Sequence, residues 1–339
     1  MSKNIFYNGA KALSYNCLFN FVIGNRGGGK TYWSKEWCIK DFLKTGSQFI
    51  YLRRYGTEFE DGKKEKFFDD ILDKFPNHEF KVKGYTAFID GKPCGYFGTL
   101  SKAKIEKSVP YPKVNKIIFD EFIIDRKSVY HYLNDEVIQF LEYYETVSRM
   151  RFENEVRVFF LSNAITITNP YFLYFSIVPD TERGRNKIQR FGKDILVELV
   201  MNKEFIEMKK KTRFGSLISG TKYGNYAIEN EFLRDDSTFV GKKSGSAKYH
   251  FTMKYEGKDY GVWIDHTTGK YYVSEDVDYY CKVVFSITMA DHSVNTMLVK
   301  GKTSNILKNF TNNYKMGNVI FESQNIKNVV YEIIRLFLL

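Results

Sequence analysis

Cysteine is scarce: the chain has 339 residues and only four cysteines, Cys17, Cys38, Cys94 and Cys281. They form no C-x-x-C pair, and none stands near a histidine at metal-ligand spacing. That argues against structural zinc and against a disulfide framework, and for reduced thiols in a cytoplasm. Long apolar runs are also missing. Nothing approaches the ~20 residues needed to span a bilayer, and the N-terminal "MSKNIFYNGAK" has no apolar leader core. The C-terminal "VVYEIIRLFLL" is too short for a span and reads as an amphipathic helix on its own domain. Neither an internal repeat nor a low-complexity segment occurs. A guanine-reading [NT]-K-x-D is lacking too, since "NKII" and "NKEF" both fail at the last position.

Charge and aromatic content are ample. Net charge is +11, and aromatics make up 17% of the chain. A basic balance suggests a polyanionic partner, nucleic acid first. Both halves are mildly basic, so a nucleic-acid surface would be built by folding and not by a charged arm. Most rings are expected in the core and in strands; base stacking on a few is the alternative.

The first 200 residues alternate strand-like and helix-like segments, predicting a mostly parallel sheet with helices on both faces. Strands are expected at 19–24, 48–54, 115–122, 156–164 and 194–201. A β-meander is expected over 79–101, turning at "DGKPCG". The charged stretch from "GTEFEDGKKEKFFDDILDKF" reads as a loop leading into a helix. A further helix is expected over 134–151, capped by Asn134 or Asp135. This gives a domain at 1–201, a helical linker or lid at 202–235, and a smaller α+β domain at 236–339.

"GNRGGGKT", from Gly24 to Thr31, fits G-x-x-x-x-G-K-[ST] without a mismatch, between an apolar strand and a helix. Its glycines, Gly24, Gly27, Gly28 and Gly29, let backbone N–H groups turn toward a phosphate. The helix start aims its positive end at the anion, Lys30 reaches the β/γ-phosphates, and the Thr31 hydroxyl can ligate Mg²⁺. Arg26 inside the loop is unusual; its candidate partners are phosphate, a neighbouring acid, or none.

"KIIFDEF" delivers Asp120 at the sheet's C-terminal edge, where open α/β sheets bind ligands. Asp120 is placed to hold Mg²⁺, and Glu121 to polarise a water for in-line attack on the γ-phosphate. Motor-type ATPases use such a glutamate; switch GTPases and small-molecule kinases generally do without it. The pair favours ATP, hydrolysis and a P-loop NTPase fold of the ASCE or RecA-like kind. "VRVFFLSNA" ends in Ser162 and Asn163, which can reach the γ-phosphate or the water; a turn cap is the plain alternative. Arg149 and Arg151 end the helix before that strand. Each is a finger for a neighbour's γ-phosphate or a cation on a helix terminus. Arg53, Arg54, Lys63 and Lys64 are candidates for a nucleic-acid backbone or for ordinary solvated surface.

In that order, "GNRGGGKT", "IIFDEF", "SRMR" and "FFLSNA" resemble the podoviral (phi29-like) DNA-packaging ATPases. The motif match covers roughly residues 15–165, and beyond 200 it is one of layout. The resemblance implies a homopentameric ring in the host cytoplasm, docked on the portal of a procapsid. The ring would hydrolyse ATP to drive double-stranded DNA inward; in the type member a packaging RNA links ring and portal. It supports Lys30, Thr31, Asp120 and Glu121 in the roles above and favours Arg149 as a finger acting in trans. It also implies an RNase H-like second domain. The acids there, Asp265, Asp276, Asp278 and Asp291, have no diagnostic spacing and read equally as turn and strand-end residues. The resemblance implies unit-length genomes that need no cutting, so a degenerate, inactive nuclease fold used for binding is expected. A helicase or another nucleic-acid-stimulated ATPase is the runner-up, "IQRFG" faintly matching a helicase arginine motif. A non-catalytic nucleic-acid-binding scaffold is the third reading.

Overall fold

The computed structural model describes residues 5–60, 62–103, 110–124, 130, 132–133, 136–149, 155–163, 169–175, 177, 179, 187–221, 239–299, 304–315 and 318–338. The chain divides into two compact units, Met1–Ile167 with Pro179–Arg234, and Thr168–Val178 with Asp235–Leu339. The described helices are α1 (Ala10–Ser14), α2 (Lys30–Thr45), α3 (Glu136–Ser148), α4 (Pro170–Tyr174), α5 (Lys203–Lys211), α6 (Arg213–Ile218), α7 (Asn305–Lys315) and α8 (Gln324–Leu338). Among them none is long and apolar enough to cross a membrane. The four cysteines are free thiols.

The first unit is built on nine strands: β1 (Phe19–Gly24), β2 (Gln48–Arg53), β3 (Phe80–Lys83), β4 (Thr86–Ile89), β5 (Lys92–Thr99), β6 (Val114–Asp120), β7 (Arg157–Asn163), β8 (Lys187–Phe191) and β9 (Ile195–Val200). Their order is β3-β4-β5-β2-β6-β7-β1-β9-β8. Neighbours from β5 through β9 run parallel. The β3-β4-β5 meander and β8 are antiparallel additions at the two edges. Apolar runs such as "FNFVI" are buried on both faces, as a covered parallel sheet requires. Period-2 alternation divides β7 between two helices. Phe159 packs under Trp33 and Trp37 of α2, while Phe160 packs against Phe140 of α3. Each such ring contributes about 1.5–3 kcal/mol by burial.

Strand β7 separates β1 from β6. Its polar tip therefore lies between the glycine loop and the acids that follow β6. This connection decides the geometry of the site.

One local expectation is corrected, and one strand carries no sequence signal of its own. The segment after β2 holds no α-helix; among its described residues it folds as successive tight turns with short 3-10 pieces at Gly56–Phe59 and Leu72–Lys74. Lys35 Nζ takes the Phe67 carbonyl at 2.7 Å, so the Ile71 amide bonds to Phe68 instead of completing an α-turn on Phe67. Strand β8 has no apolar run to announce it, being a polar edge strand that turns into β9 at Gly192, where φ is +66°. The "IQRFG" stretch is that hairpin, with Arg190 donating to the Lys193 carbonyl at 3.0 Å. Asn134 and Asp135, the expected caps of α3, lie outside the described residues.

The second unit carries β10 (Lys248–Tyr255), β11 (Lys258–Asp265), β12 (Lys270–Ser274), β13 (Val284–Ser286), β14 (Met297–Leu298) and β15 (Val319–Phe321), ordered β14-β13-β10-β11-β12-β15. An antiparallel meander, β10 to β12, is extended by parallel strands on both sides. Phe310 of α7 and Ile326, Val330 and Ile333 of α8 bury against this sheet, so the C-terminal amphipathic helix completes its own core.

Candidate active site

Gly24 ends β1 where the chain must pass close to β9: a methyl group there would come within 2.7 Å of the Val200 Cβ. Gly29 sits at φ +89°, a left-handed conformation that sharply reverses the loop into α2. The loop thus closes around the start of α2, and Lys30 folds back beneath it. The Lys30 ammonium donates to the Gly24 and Asn25 carbonyls, each at 2.9 Å. Burial pushes its pKa down to about 8, Asp120 opposing the shift and Lys209 adding to it.

Strand β6 brings Asp120 to the loop. The Thr31 hydroxyl donates to Asp120 Oδ2 at 3.1 Å. A hydroxyl and a carboxylate oxygen form the hard donor set that Mg²⁺ takes. Glu121 follows at φ +58°, outside the range most non-glycine residues adopt, and its side chain is 54% exposed. A cavity of about 260 Å³ is lined by Gly27, Gly28, Gly29, Lys30, Thr31, Tyr32, Asp120, Glu121, Ser162 and Asn163. Asn163 pairs in register with Gly24, and Leu161 with Asp120, so the tip of β7 extends past the acids into that cavity.

The sheet edge supplies a layer that sequence reasoning missed. Tyr51 of β2 donates to Asp120 Oδ2 at 2.5 Å, and burial beside that carboxylate drives the phenol pKa far up. Arg53 reaches Glu121 at 2.8 Å, Glu58 at 2.9 Å and Asp120 at 3.8 Å. Arg54 makes a bidentate pair with Glu136 at 2.7 and 2.9 Å, and donates to the carbonyls of Glu121 and Phe122 at 3.2 and 2.7 Å. Arg54 and Glu136 side chains are 3% and 1% exposed. Arg53 and Arg54 are thus neither backbone-gripping cations nor solvated surface; they fix the turn that presents Glu121. The signal was available: "YLRR" ends β2 at the same sheet edge as "FDEF". Lys63 is exposed, and Lys64 lies 3.9 Å over the Tyr85 ring.

Two predicted side chains, those of Arg26 and Arg149, lie outside the cavity. Arg26 is exposed on the loop, its carbonyl accepting from Lys209 Nζ at 3.1 Å. Arg149 is exposed just past the C-terminus of α3, at φ +37°, with Nε donating to the Thr146 carbonyl at 3.2 Å. Helix α3 starts at Glu136, beside the Glu121 turn, and its 13 residues carry the chain about 20 Å away. Arg151 lies outside the described residues.

In the second unit each candidate acid serves a local contact. Asp265 accepts from Thr267 N at 2.9 Å and Ser246 Oγ at 3.0 Å, and Asp276 pairs with Lys243 at 3.1 Å. Asp278 accepts from Tyr280 N at 2.9 Å, and Asp291 from Gly257 N at 2.8 Å. Among the described residues no group of three or more His, Cys, Asp or Glu could hold a metal ion.

A bound phosphate favours charged Lys30 and raises its pKa. Nucleotide affinity is therefore expected to hold steady below the free value of about 8 and to fall as pH rises through it. The loss approaches roughly tenfold per pH unit until the bound pKa is reached. Calorimetry near pH 8.5 (roughly half a unit above that midpoint) in two buffers of different ionisation enthalpy should register proton uptake on binding; none contradicts the assignment.

Comparison with known proteins agrees over the whole chain. The family model of the podovirus DNA encapsidation protein (Gp16) matches residues 1–338. The DNA packaging protein of Bacillus phage phi29 is 40% identical over 336 residues, 99% of this chain and 98% of that protein. A chain of the bacteriophage phi29 viral genome packaging motor assembly matches with a TM-score of 0.76 at 39% identity, covering 98% of this chain and 100% of that one. The N-terminal domain of the phi29 DNA packaging ATPase matches with a TM-score of 0.53 at 42% identity, covering 60% of this chain and 100% of that one. The chain belongs to the podovirus DNA encapsidation protein family.

Proposed function

We propose that this chain is the ATP-hydrolysing motor that moves double-stranded viral DNA into a procapsid, working as a ring of five at the portal. The observation that carries the reading is one cavity holding the phosphate loop, Thr31, Asp120, Glu121 and Asn163 together. In this reading Lys30 and the loop N–H groups hold the β- and γ-phosphates. Thr31 and Asp120 hold Mg²⁺, which supplies charge neutralisation at the phosphates. Glu121 accepts a proton from the attacking water, and Asn163 orients that water or the γ-phosphate. Tyr51, Arg53 and Arg54 keep both acids in place.

Beside Gly27 and Gly29, Phe6, Tyr32, Trp33 and Trp37 line a wider cleft with flat faces for the base, the two indoles stacked at 5.6 Å. Arg149 serves a neighbouring subunit. The second unit is read as a degenerate RNase H-like domain that binds nucleic acid without cutting it, a reading supported by acids already committed to turns and strand ends. A packaging RNA between ring and portal belongs to the same reading.

ATP turnover stimulated by double-stranded DNA and abolished in Lys30→Ala is the expected result. Strand separation on a forked duplex would favour a helicase instead.

A further inference from the structure

We propose that Lys209, on helix α5 outside the phosphate loop, is a further nucleotide-binding residue that gives a cation to the phosphates and couples α5 to nucleotide occupancy. The proposal rests on the reading of the loop as a nucleotide site.

Helix α5 is pinned to the loop at its start. The Asn202 side chain accepts from Glu204 N and Phe205 N at 3.0 and 3.3 Å, and donates to the Ile5 carbonyl at 2.7 Å. Phe205 is buried, its ring 6.1 Å from that of Phe6 and its edge against Gly27. Lys209 stands four residues later, on the same helical face. Its ammonium reaches over Phe205 to the Arg26 carbonyl at 3.1 Å.

A lysine in the last turn of a helix ordinarily complements the helix dipole in solvent. Lys209 instead lies half over the loop, close enough to Lys30 and Arg26 for their charges to act on one another. Burial holds the Lys30 ammonium below the usual lysine range, with Asp120 opposing and Lys209 adding to the shift; burial first and the Arg26 charge second do the same for Lys209. Three cations gathered around one anion-binding loop repel each other, and a polyphosphate removes that repulsion. Because Lys209 is carried by α5, the gain is transmitted to the position of the whole helix.

The test uses the full chain. Affinities for Mg-ATP and for AMP are measured on wild type, Lys209→Ala and Lys209→Arg, with amide exchange followed over 203–211. Lys209→Ala is expected to weaken Mg-ATP about tenfold, Lys209→Arg to recover most of that loss, and AMP to change little in either. Mg-ATP should slow α5 exchange in wild type and not in Lys209→Ala. Unchanged Mg-ATP affinity in Lys209→Ala, beside a wild type that binds, overturns this proposal alone. An equal loss for AMP that arginine does not rescue also overturns it, assigning Lys209 to helix anchoring. A wild type that binds no Mg-ATP overturns the reading of the loop as well.

Discussion

Glu121→Gln is expected to bind Mg-ATP as tightly as wild type while turnover falls at least ~100-fold. The amide keeps the size and hydrogen-bonding reach of the carboxylate but cannot take a proton. Glu121 lines the cavity without touching Lys30 or Thr31 in the hydrogen bonds of the site, so the phosphate contacts survive the change. The backbone there is held independently by Arg54, whose bonds to the Glu121 and Phe122 carbonyls involve no side chain of Glu121. Single-turnover hydrolysis together with equilibrium nucleotide binding checks both halves. Unchanged turnover removes Glu121 from the chemistry.

If the proposed ring forms, Arg149→Ala is expected to lower its turnover about a thousandfold, the scale of an arginine finger. The residue is exposed at the far end of α3, about 20 Å along the helix from Glu136, which argues against service to its own site. A finger that works across an interface predicts rescue by mixing. A subunit with Arg149→Ala still has Glu121, and its Glu121→Gln neighbour still has Arg149. Where they adjoin in the right order, one complete site forms. Activity should therefore pass through a maximum as the two inactive variants are mixed. A flat, inactive series at every ratio assigns Arg149 to capping its own helix.

The parts of this site legible in the sequence were those that a local rule governs. The phosphate loop is a backbone device, and its glycines and Lys30 lie within eight residues, "GNRGGGKT". Asp120 was legible because an apolar strand must end at a sheet edge, and Asn163 because its strand has the same form. The supports were hidden by chain distance. Arg53 and Arg54 look like surface cations until β2 is known to lie beside β6, which brings Glu121 and Glu136 to them. Lys209 is hidden for the same reason, 183 residues from the carbonyl it contacts. In the fold, tertiary contacts overrode local pattern around Phe67, where Lys35 captures a carbonyl that a helix would need. β8 has too few apolar residues to be told from a loop.

The central claim, a nucleotide-driven motor on duplex DNA, is tested most directly by one measurement: ATP turnover per chain, with assembly mass recorded in parallel, in the presence and absence of double-stranded DNA. The account predicts a multimer whose turnover rises severalfold on duplex and vanishes in Glu121→Gln. A chain that stays monomeric, with the same turnover whether or not duplex is present, contradicts it.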